Sequence, residues 1–305
     1  MNDSNLKSLI ARRAKERDAV ILAHYYCPPE IHDAAHFVGD SLGLSQEAAR
    51  NPAKVIVFCG VHFMAETASI LCPEKTVVIG NPEAGCPMAD MVEPDALEKR
   101  KAELPGVPVL TYVNSSAKVK ALSDICCTSA NVATVLRSLD SPRVLMTPDR
   151  NLALYAQSLV PEKEVLLWPG FCPTHHRLNL PEIQELKKAL PKAVVLAHPE
   201  CQPKILKEAH FIGSTSGIIN HCKKSDQNEF IILTESGVLY PIQKQNPGKT
   251  FYQPQTPMIC PNMKKNRIED LVRALETLEP VIKVPEEIRL PALRAVERML
   301  AIPRD

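Results

Sequence analysis

The stretch VVLAHPE, residues 194–200, decides the fold once it is laid against VILAHYY (20–26) and PVLTYVN (108–114). Each is a short apolar run ending in a polar group. Aligning them pairs His24, Tyr112 and His198, at intervals of 88 and 86 residues. Ser41, Ser129 and Thr215 each follow 17 residues later, in GDSLGL, CCTSAN and IGSTSGI. A further set of apolar runs, VIVFCG, RVLMTP and FIILTE, recurs at nearly the same offset. Three Cys-Pro pairs close the series at Cys86, Cys172 and Cys260, spaced 86 and 88. Landmarks repeating in one order are the signature of a repeated structural unit. Cys27-Pro28 and Cys72-Pro73 fall outside this repeat.

The pattern within a unit is strand, helix, Ser/Thr turn, helix, strand, helix, strand, Cys-Pro. The strand runs are continuously apolar, as in parallel strands covered on both faces. The sequence therefore predicts an α/β protein of three βαβαβ three-layer sandwich domains, with right-handed crossovers, related by a pseudo-threefold axis. The boundaries read 1–87 (N-terminal helix included), 88–173 and 174–261. Residues 262–305 hold two helical patterns, NRIEDLVRALETLEP and PALRAVERMLAIP, that pack back on the body.

Composition narrows the class. A net charge of +1 gives no electrostatic case for nucleic acid or an anionic membrane. No apolar run reaches the roughly 18 residues of a membrane span, and the charged start lacks a signal-peptide core. The expected location is the cytoplasm. Ten cysteines are many for that compartment, where disulfides are rare. They divide into buried thiols and metal or catalytic groups.

Ligands of open α/β sheets sit outside the carboxyl ends of the strands. A pseudo-threefold axis would therefore gather His24, Tyr112 and His198, then Ser41, Ser129 and Thr215, then Cys86, Cys172 and Cys260. PGFCPTHHRL (169–178) looks at first like a local Cys/His site, but ligands so close together cannot close a four-coordinate site. Three single cysteines, one per unit, suit a [4Fe–4S] cluster with one iron open; zinc is the competing metal. An open iron would serve as a Lewis acid. The hydroxyls read as helix N-caps that hold carboxylate or phosphate, or as plain caps. Tyr26, Tyr112, His24, His198 and Glu200 are the acid–base candidates, with Glu200 expected to have a raised pKa through desolvation. No P-loop or dinucleotide fingerprint is present.

The motifs LAHYY, GDSL, GVHFMAETA, AGCPMADM, YVNSSA, TSAN, WPGFCPTH, AHPEC, GSTSG and MICPNMK run nearly end to end. Through them the sequence resembles the quinolinate synthase family, the iron–sulfur enzymes of de novo NAD biosynthesis. The resemblance implies the triplicated βαβ architecture around a central [4Fe–4S] cluster. It implies condensation of iminoaspartate with dihydroxyacetone phosphate, with loss of phosphate and water. Cys86, Cys172 and Cys260 would be the cluster ligands, leaving one iron open. Tyr26, Tyr112, His198 and Glu200 would be catalytic. His24, Ser41, Tyr112, Val113, Asn114 and Ser129 would bind substrate from the first two units. His175, His198, Pro199, Glu200, Ser214 and Thr215 would do so from the Cys172 turn and the third unit. The resemblance also implies a functional link to L-aspartate oxidase or aspartate dehydrogenase, suppliers of iminoaspartate. Two departures stand out. Cys27 occupies the place of a glutamine common in the family. Cys260-Pro-Asn-Met263 lacks the second cysteine that some members carry. The nearest rival is another iron–sulfur enzyme with one cysteine per domain, a reductase acting on a hydroxymethylbutenyl diphosphate. His176 carries no assigned role.

Overall fold

The structure, a computed structural model, describes residues 3–305. Its strands are β1 (Ala19–His24), β2 (Phe37–Gly39), β3 (Val55–Cys59) and β4 (Thr76–Ile79), then β5 (Val109–Tyr112), β6 (Ile125–Cys127), β7 (Arg143–Thr147) and β8 (Glu164–Leu167), then β9 (Val194–Ala197), β10 (Phe211–Ile212), β11 (Glu229–Leu233) and β12 (Thr250–Tyr252). They form three parallel four-stranded sheets, ordered β2-β1-β3-β4, β6-β5-β7-β8 and β10-β9-β11-β12.

The repeat extends to the register. Leu22 pairs with Phe37, Leu110 with Ile125 and Leu196 with Phe211. Each pair is 15 residues apart, and successive pairs advance by 88 and 86. The outer ladders keep step, with Val55 opposite Thr76, Arg143 opposite Glu164 and Glu229 opposite Thr250. Each first strand lies between two neighbours and is almost wholly buried, which is why it reads as an unbroken apolar run.

Each unit carries four strands where the sequence pattern showed three. The extra strand, β2, β6 or β10, is two or three residues long and lies at a sheet edge. Such a strand is held by its ladder to the neighbouring first strand and has no run long enough to signal itself. The cysteine spacing also departs from the sheet spacing for a physical reason. From the start of the fourth strand to the cysteine, Thr76 to Cys86 and Thr250 to Cys260 span 10 positions, and Glu164 to Cys172 spans 8. The shorter middle loop presses Gly170 onto the Pro148 carbonyl, where an added Cβ would lie 2.5 Å from the oxygen.

Helices cover both faces. After the edge strand come helices Ser41–Arg50, Val132–Arg137 and Thr215–Lys224. A lysine preceding each fourth strand caps the carbonyls at or just beyond their far ends: Lys75 to Ala48 and Asn51, Lys163 to Leu139 and Ser141, Lys249 to Cys222 and Ser225. Cations belong at that negative end of the helix dipole. The two C-terminal helices are Ile268–Thr277 and Glu286–Leu300. The longer one packs on helix Ala117–Ala121, β6 and helix His62–Leu71. Its Ala292, Ala295, Val296 and Met299 join an apolar core continuous through the first two units. The third sheet has its own core on each face, built around Val195 and Ile231 on one side and Phe230 and Ile232 on the other. Among the described residues, no helix is long and apolar enough to cross a membrane.

Candidate functional site

The carboxyl ends of the first strands, the starts of the second helices and the three Cys-Pro turns line a single cavity. Cys86, Cys172 and Cys260 are on its wall. So are His24, Tyr26, Ser41, Tyr112, Asn114, Ser129, His175, His198, Glu200 and Thr215. The wall therefore unites side chains far apart in sequence, such as His24 and Cys260, 236 positions apart. Val113, Pro199 and Ser214 are not on it. Val113 faces a small neighbouring void, Pro199 is buried, and Ser214 accepts a hydrogen bond from the amide of Gly217.

The seven other cysteines are buried away from this wall. Cys27 donates to the Cys59 carbonyl at 3.3 Å and Cys201 to the Leu233 carbonyl at 3.5 Å. These two are equivalent, since both donor and acceptor shift by 174 positions. Cys27 thus belongs to the repeat after all, as a core thiol; its counterpart in the middle unit is Ser115.

The three wall cysteines share one local design. Backbone amides two and three positions on point at the sulfur: Met88 and Ala89 at Cys86, Asn262 and Met263 at Cys260; the amide of His175 does so at Cys172. Amide donors favour the anionic sulfur of a metal thiolate. Without a metal the thiols stay protonated. Burial pushes Cys86 up to about 12, Cys172 well above its ordinary value, and Cys260 upward. A metal taken up here would have to displace those protons. Cys86 lies close enough to both Cys172 and Cys260 for their charges to interact. Cys172 Sγ, a ring nitrogen of His175 and a carboxylate oxygen of Glu200 all lie within 4.8 Å of one another. The three thiols on the wall, with no fourth among the described residues, fit a cluster held at three corners.

Two buried carboxylates that the sequence reading passed over hold the cysteine loops. Asp149 Oδ2 accepts from the amide of Cys172 at 3.1 Å, and Glu235 Oε1 from the amide of Cys260 at 3.0 Å. They follow β7 and β11 at equivalent positions. Their signal was the polar residue after each third strand, in LMTPD and ILTE. Lys264 pairs with Glu235 at 3.0 Å and also donates to the Tyr26 carbonyl.

Above the thiols runs a hydrogen-bonded chain of buried groups. Tyr26 OH meets Thr215 Oγ1 at 2.9 Å and Thr234 Oγ1 at 2.8 Å. Thr234 Oγ1 meets His175 Nε2 at 2.9 Å, and His175 Nδ1 lies 2.8 Å from Glu200 Oε2. Thr234, wholly buried, was also not legible as a site residue. His24 and His198 keep one geometry, each Nδ1 accepting from the amide two residues on, Tyr26 at 3.1 Å and Glu200 at 3.4 Å. That leaves each Nε2 as the donor, and His198 Nε2 meets Ser129 Oγ at 3.2 Å. Burial pushes His24 down to about 4 and His198 to about 3, so both are neutral at pH 7.

Glu200 departs from expectation. Burial pushes its carboxyl up, but His198 and His175 nearby, with hydrogen bonds from His175 and Tyr112, outweigh burial and hold it down at about 2. It is an anion at neutral pH. Burial and the Glu200 charge push Tyr26 and Tyr112 well above the ordinary tyrosine value, so both keep their protons.

The three hydroxyls differ from simple caps. Asp40 and Ser214 cap two of the helices, and Ser41 and Thr215 are the first helical residues. Ser129 precedes helix Val132–Arg137, whose cap position is Asn131. Their hydroxyls are thereby released from capping and stand on the cavity wall beside helix starts. Asn114 Oδ1, on the same wall, is buried with no hydrogen-bond partner among the described residues. His176 turns away, its ring nitrogens meeting Asn151 and Arg150 at 3.0 and 3.2 Å.

A sequence model described as quinolinate synthetase A protein matches residues 8–301. The chain is 53% identical to a quinolinate synthase of Geobacter sp. strain M21 over 305 residues, covering the whole of both chains. It is 50% identical to one of Geotalea uraniireducens, again over the whole of both. A quinolinate synthase of Methanosarcina barkeri is 47% identical over 302 residues, 99% of each chain.

Proposed function

The chain belongs to the quinolinate synthetase A family, and from that premise we propose that it is a quinolinate synthase of NAD biosynthesis. It condenses iminoaspartate with dihydroxyacetone phosphate and releases phosphate and two waters as the pyridine ring closes. The observation that carries this reading is one cavity wall with a thiol from each unit, beside Glu200, Tyr26 and three hydroxyls that cap no helix. The three repeats, 1–87, 88–173 and 174–261, each supply one share of that wall, with 262–305 as a helical appendix.

Cys86, Cys172 and Cys260 would hold a [4Fe–4S] cluster. The cluster, when bound, supplies a Lewis-acidic iron that polarises a leaving hydroxyl or a substrate carboxylate. The protein's own groups divide the remaining work. Ser41, Ser129 and Thr215, with the amides of nearby helix starts, bind carboxylate and phosphate oxygens. Each such charge-assisted hydrogen bond contributes about 1.5–3 kcal/mol. Glu200, ionised and 2.8 Å from His175 Nδ1, would act together with that imidazole in receiving a proton from carbon or nitrogen during enolisation. Tyr26 and Tyr112, both protonated, donate to developing anions. Neutral His24 and His198 present N–H groups from fixed tautomers. Val113, Pro199 and Ser214, off the wall, support the backbone that carries Tyr112, His198 and Thr215.

The test has two arms. Iron and sulfide are measured anaerobically in Cys86→Ala, Cys172→Ala and Cys260→Ala, with Cys126→Ala as a control from the buried set. Each of the first three should lose the cluster and the control should keep it. A full cluster in any of the three sinks the ligand assignment. The wild-type protein is then given iminoaspartate and dihydroxyacetone phosphate. Absence of quinolinate from protein with an intact cluster refutes the activity.

A further inference from the structure

The cavity wall poses a charge problem. Among the described residues that line it are the carboxylates of Asp40, Glu200 and Glu235, and no lysine or arginine. Glu235 pairs with Lys264 at 3.0 Å, and Glu200 lies 2.8 Å from His175 Nδ1. Asp40 is answered from 264 positions away, by Arg304.

The contact is a two-pronged fork. Arg304 Nη1 donates to Asp40 Oδ2 at 2.7 Å and Nη2 to Oδ1 at 2.8 Å. Asp40 is 5% exposed. This is the bidentate geometry in which an arginine–carboxylate pair is strong even at a protein's edge. Arg304 is held in place from another unit. The neighbouring Asp305 carboxylate accepts from the amides of Ala133 and Thr134 at 3.0 and 2.8 Å, and its own amide donates to Ala130. Asn131 adds bonds to the carbonyls of Met299 and Ile302. The end of helix Glu286–Leu300 is thus tied to the second unit, and from there Arg304 reaches the first.

Capping alone does not call for the charge at position 40. Asp40 accepts from the Gly43 amide at 2.9 Å, and its equivalent in the third unit, Ser214, makes the same bond to Gly217 at 3.2 Å with a neutral hydroxyl. The first unit carries an anion where a serine suffices, immediately before Ser41. Burial pushes the Asp40 carboxyl up, but Arg304 and other donors bring it below the ordinary range, so the anion persists at neutral pH.

We propose that Arg304 is a positioning and charge-setting residue for the substrate site: by neutralising Asp40 it lets an anionic phosphate or carboxylate group settle at Ser41 and the start of helix Ser41–Arg50. The inference rests on the reading that the cavity takes small anionic substrates. Without Arg304, the Asp40 charge faces the incoming anion. The expected loss of affinity is about tenfold, the scale of one uncompensated charge roughly 10 Å away at an effective dielectric of about 20.

The experiment compares Arg304→Gln, Asp40→Asn and the double variant in cluster-loaded protein. Steady-state kinetics gives KM and kcat for both substrates, and calorimetry gives the affinity for inorganic phosphate and for succinate without turnover. Arg304→Gln should raise KM for at least one substrate about tenfold, change kcat far less, and weaken at least one calorimetric probe. Asp40→Asn/Arg304→Gln should restore affinity, because asparagine still caps Gly43 and no charge remains. A tail acting only as a mechanical strap predicts no restoration, since the fork stays broken. Unchanged probe affinity in Arg304→Gln, or a double variant as weak as the single, overturns the proposal. Wild-type protein that binds the probes but makes no quinolinate refutes the function and leaves this comparison decisive.

Discussion

Thr234→Val removes one hydroxyl and leaves shape almost unchanged, so it isolates the hydrogen-bond chain between the two acid–base candidates. Thr234 Oγ1 holds Tyr26 OH at 2.8 Å and His175 Nε2 at 2.9 Å. Tyr26 keeps a second partner in Thr215 at 2.9 Å. Among the described residues His175 Nε2 has no other hydrogen bond, and with the ring 1% exposed it would lose its only protein partner there. One buried polar group without a partner costs about 1–3 kcal/mol, against about 1 kcal/mol for an ordinary net hydrogen bond. The expected destabilisation is therefore about 2 kcal/mol. At about 2 °C per kcal/mol for a large domain, that lowers Tm by roughly 4 °C. The kinetic effect should be larger than the thermal one. Tyr26 and His175 lose their common anchor, and misdirected general acid–base groups lose part of a contribution of about 10²–10⁴. We expect kcat to fall about ten- to a hundredfold with KM changed less than threefold. Thr234→Ser, which keeps the hydroxyl, should recover most of kcat. The assays are quinolinate formation under anaerobic conditions and thermal unfolding of the same preparations. A valine variant with normal kcat and lowered Tm refutes the functional role and leaves only packing. A valine variant normal in both contradicts the hydrogen bonds themselves.

Gly170→Ala places a Cβ 2.5 Å from the Pro148 carbonyl oxygen, with backbone on both sides of the contact. The Cys172 loop must shift, and iron content per chain should drop while far-UV circular dichroism holds. Asp149→Ala removes the acceptor for the amides of Cys172, Asn151 and Leu152. Lost capping alone should destabilise by about 1–2 kcal/mol, and Cys172 should alkylate faster in the metal-free protein. His32 is pushed down to about 4 by burial, with Nε2 lacking a partner. Its folded pKa lies below the unfolded value, so the unfolded chain takes up the proton first. The stability it contributes is present above about pH 6.5 and drains away as pH falls from there towards 4. Between pH 7 and 5 the wild type should lose about 2 kcal/mol relative to His32→Phe, at about 1.4 kcal/mol per pH unit. Urea unfolding at the two pH values reads this directly, and parallel curves for the two proteins would show that folding leaves the His32 pKa unchanged, contradicting its depression by burial.

Much of the architecture was written in the sequence because it is written three times. Short parallel strands buried on both faces must be continuously apolar, and three copies at intervals of 88 and 86 make VILAHYY, PVLTYVN and VVLAHPE recognisable as one element. The same copying exposed Ser41, Ser129 and Thr215, and then Cys86, Cys172 and Cys260, because residues at equivalent strand ends must converge when the units pack about a common centre. What does not repeat, or repeats only in space, stayed hidden. The edge strands β2, β6 and β10 are too short to carry a period and exist through their ladders. Asp40 and Ser214 took the capping role assigned to their neighbours, because helix starts are set by backbone geometry to within a residue that sequence cannot place. The state of Glu200 was decided by His198 two positions before it, by His175, which arrives from the Cys172 turn 25 positions earlier, and by Tyr112 from another sheet; desolvation alone predicted the opposite sign. Thr234, Asp149, Glu235 and Arg304 matter through partners as far as 264 positions away. A sequence states which groups a chain owns and how often it repeats them. Only tertiary packing decides which of those groups share a dry cavity, and therefore which are charged, which are paired, and which remain free to act.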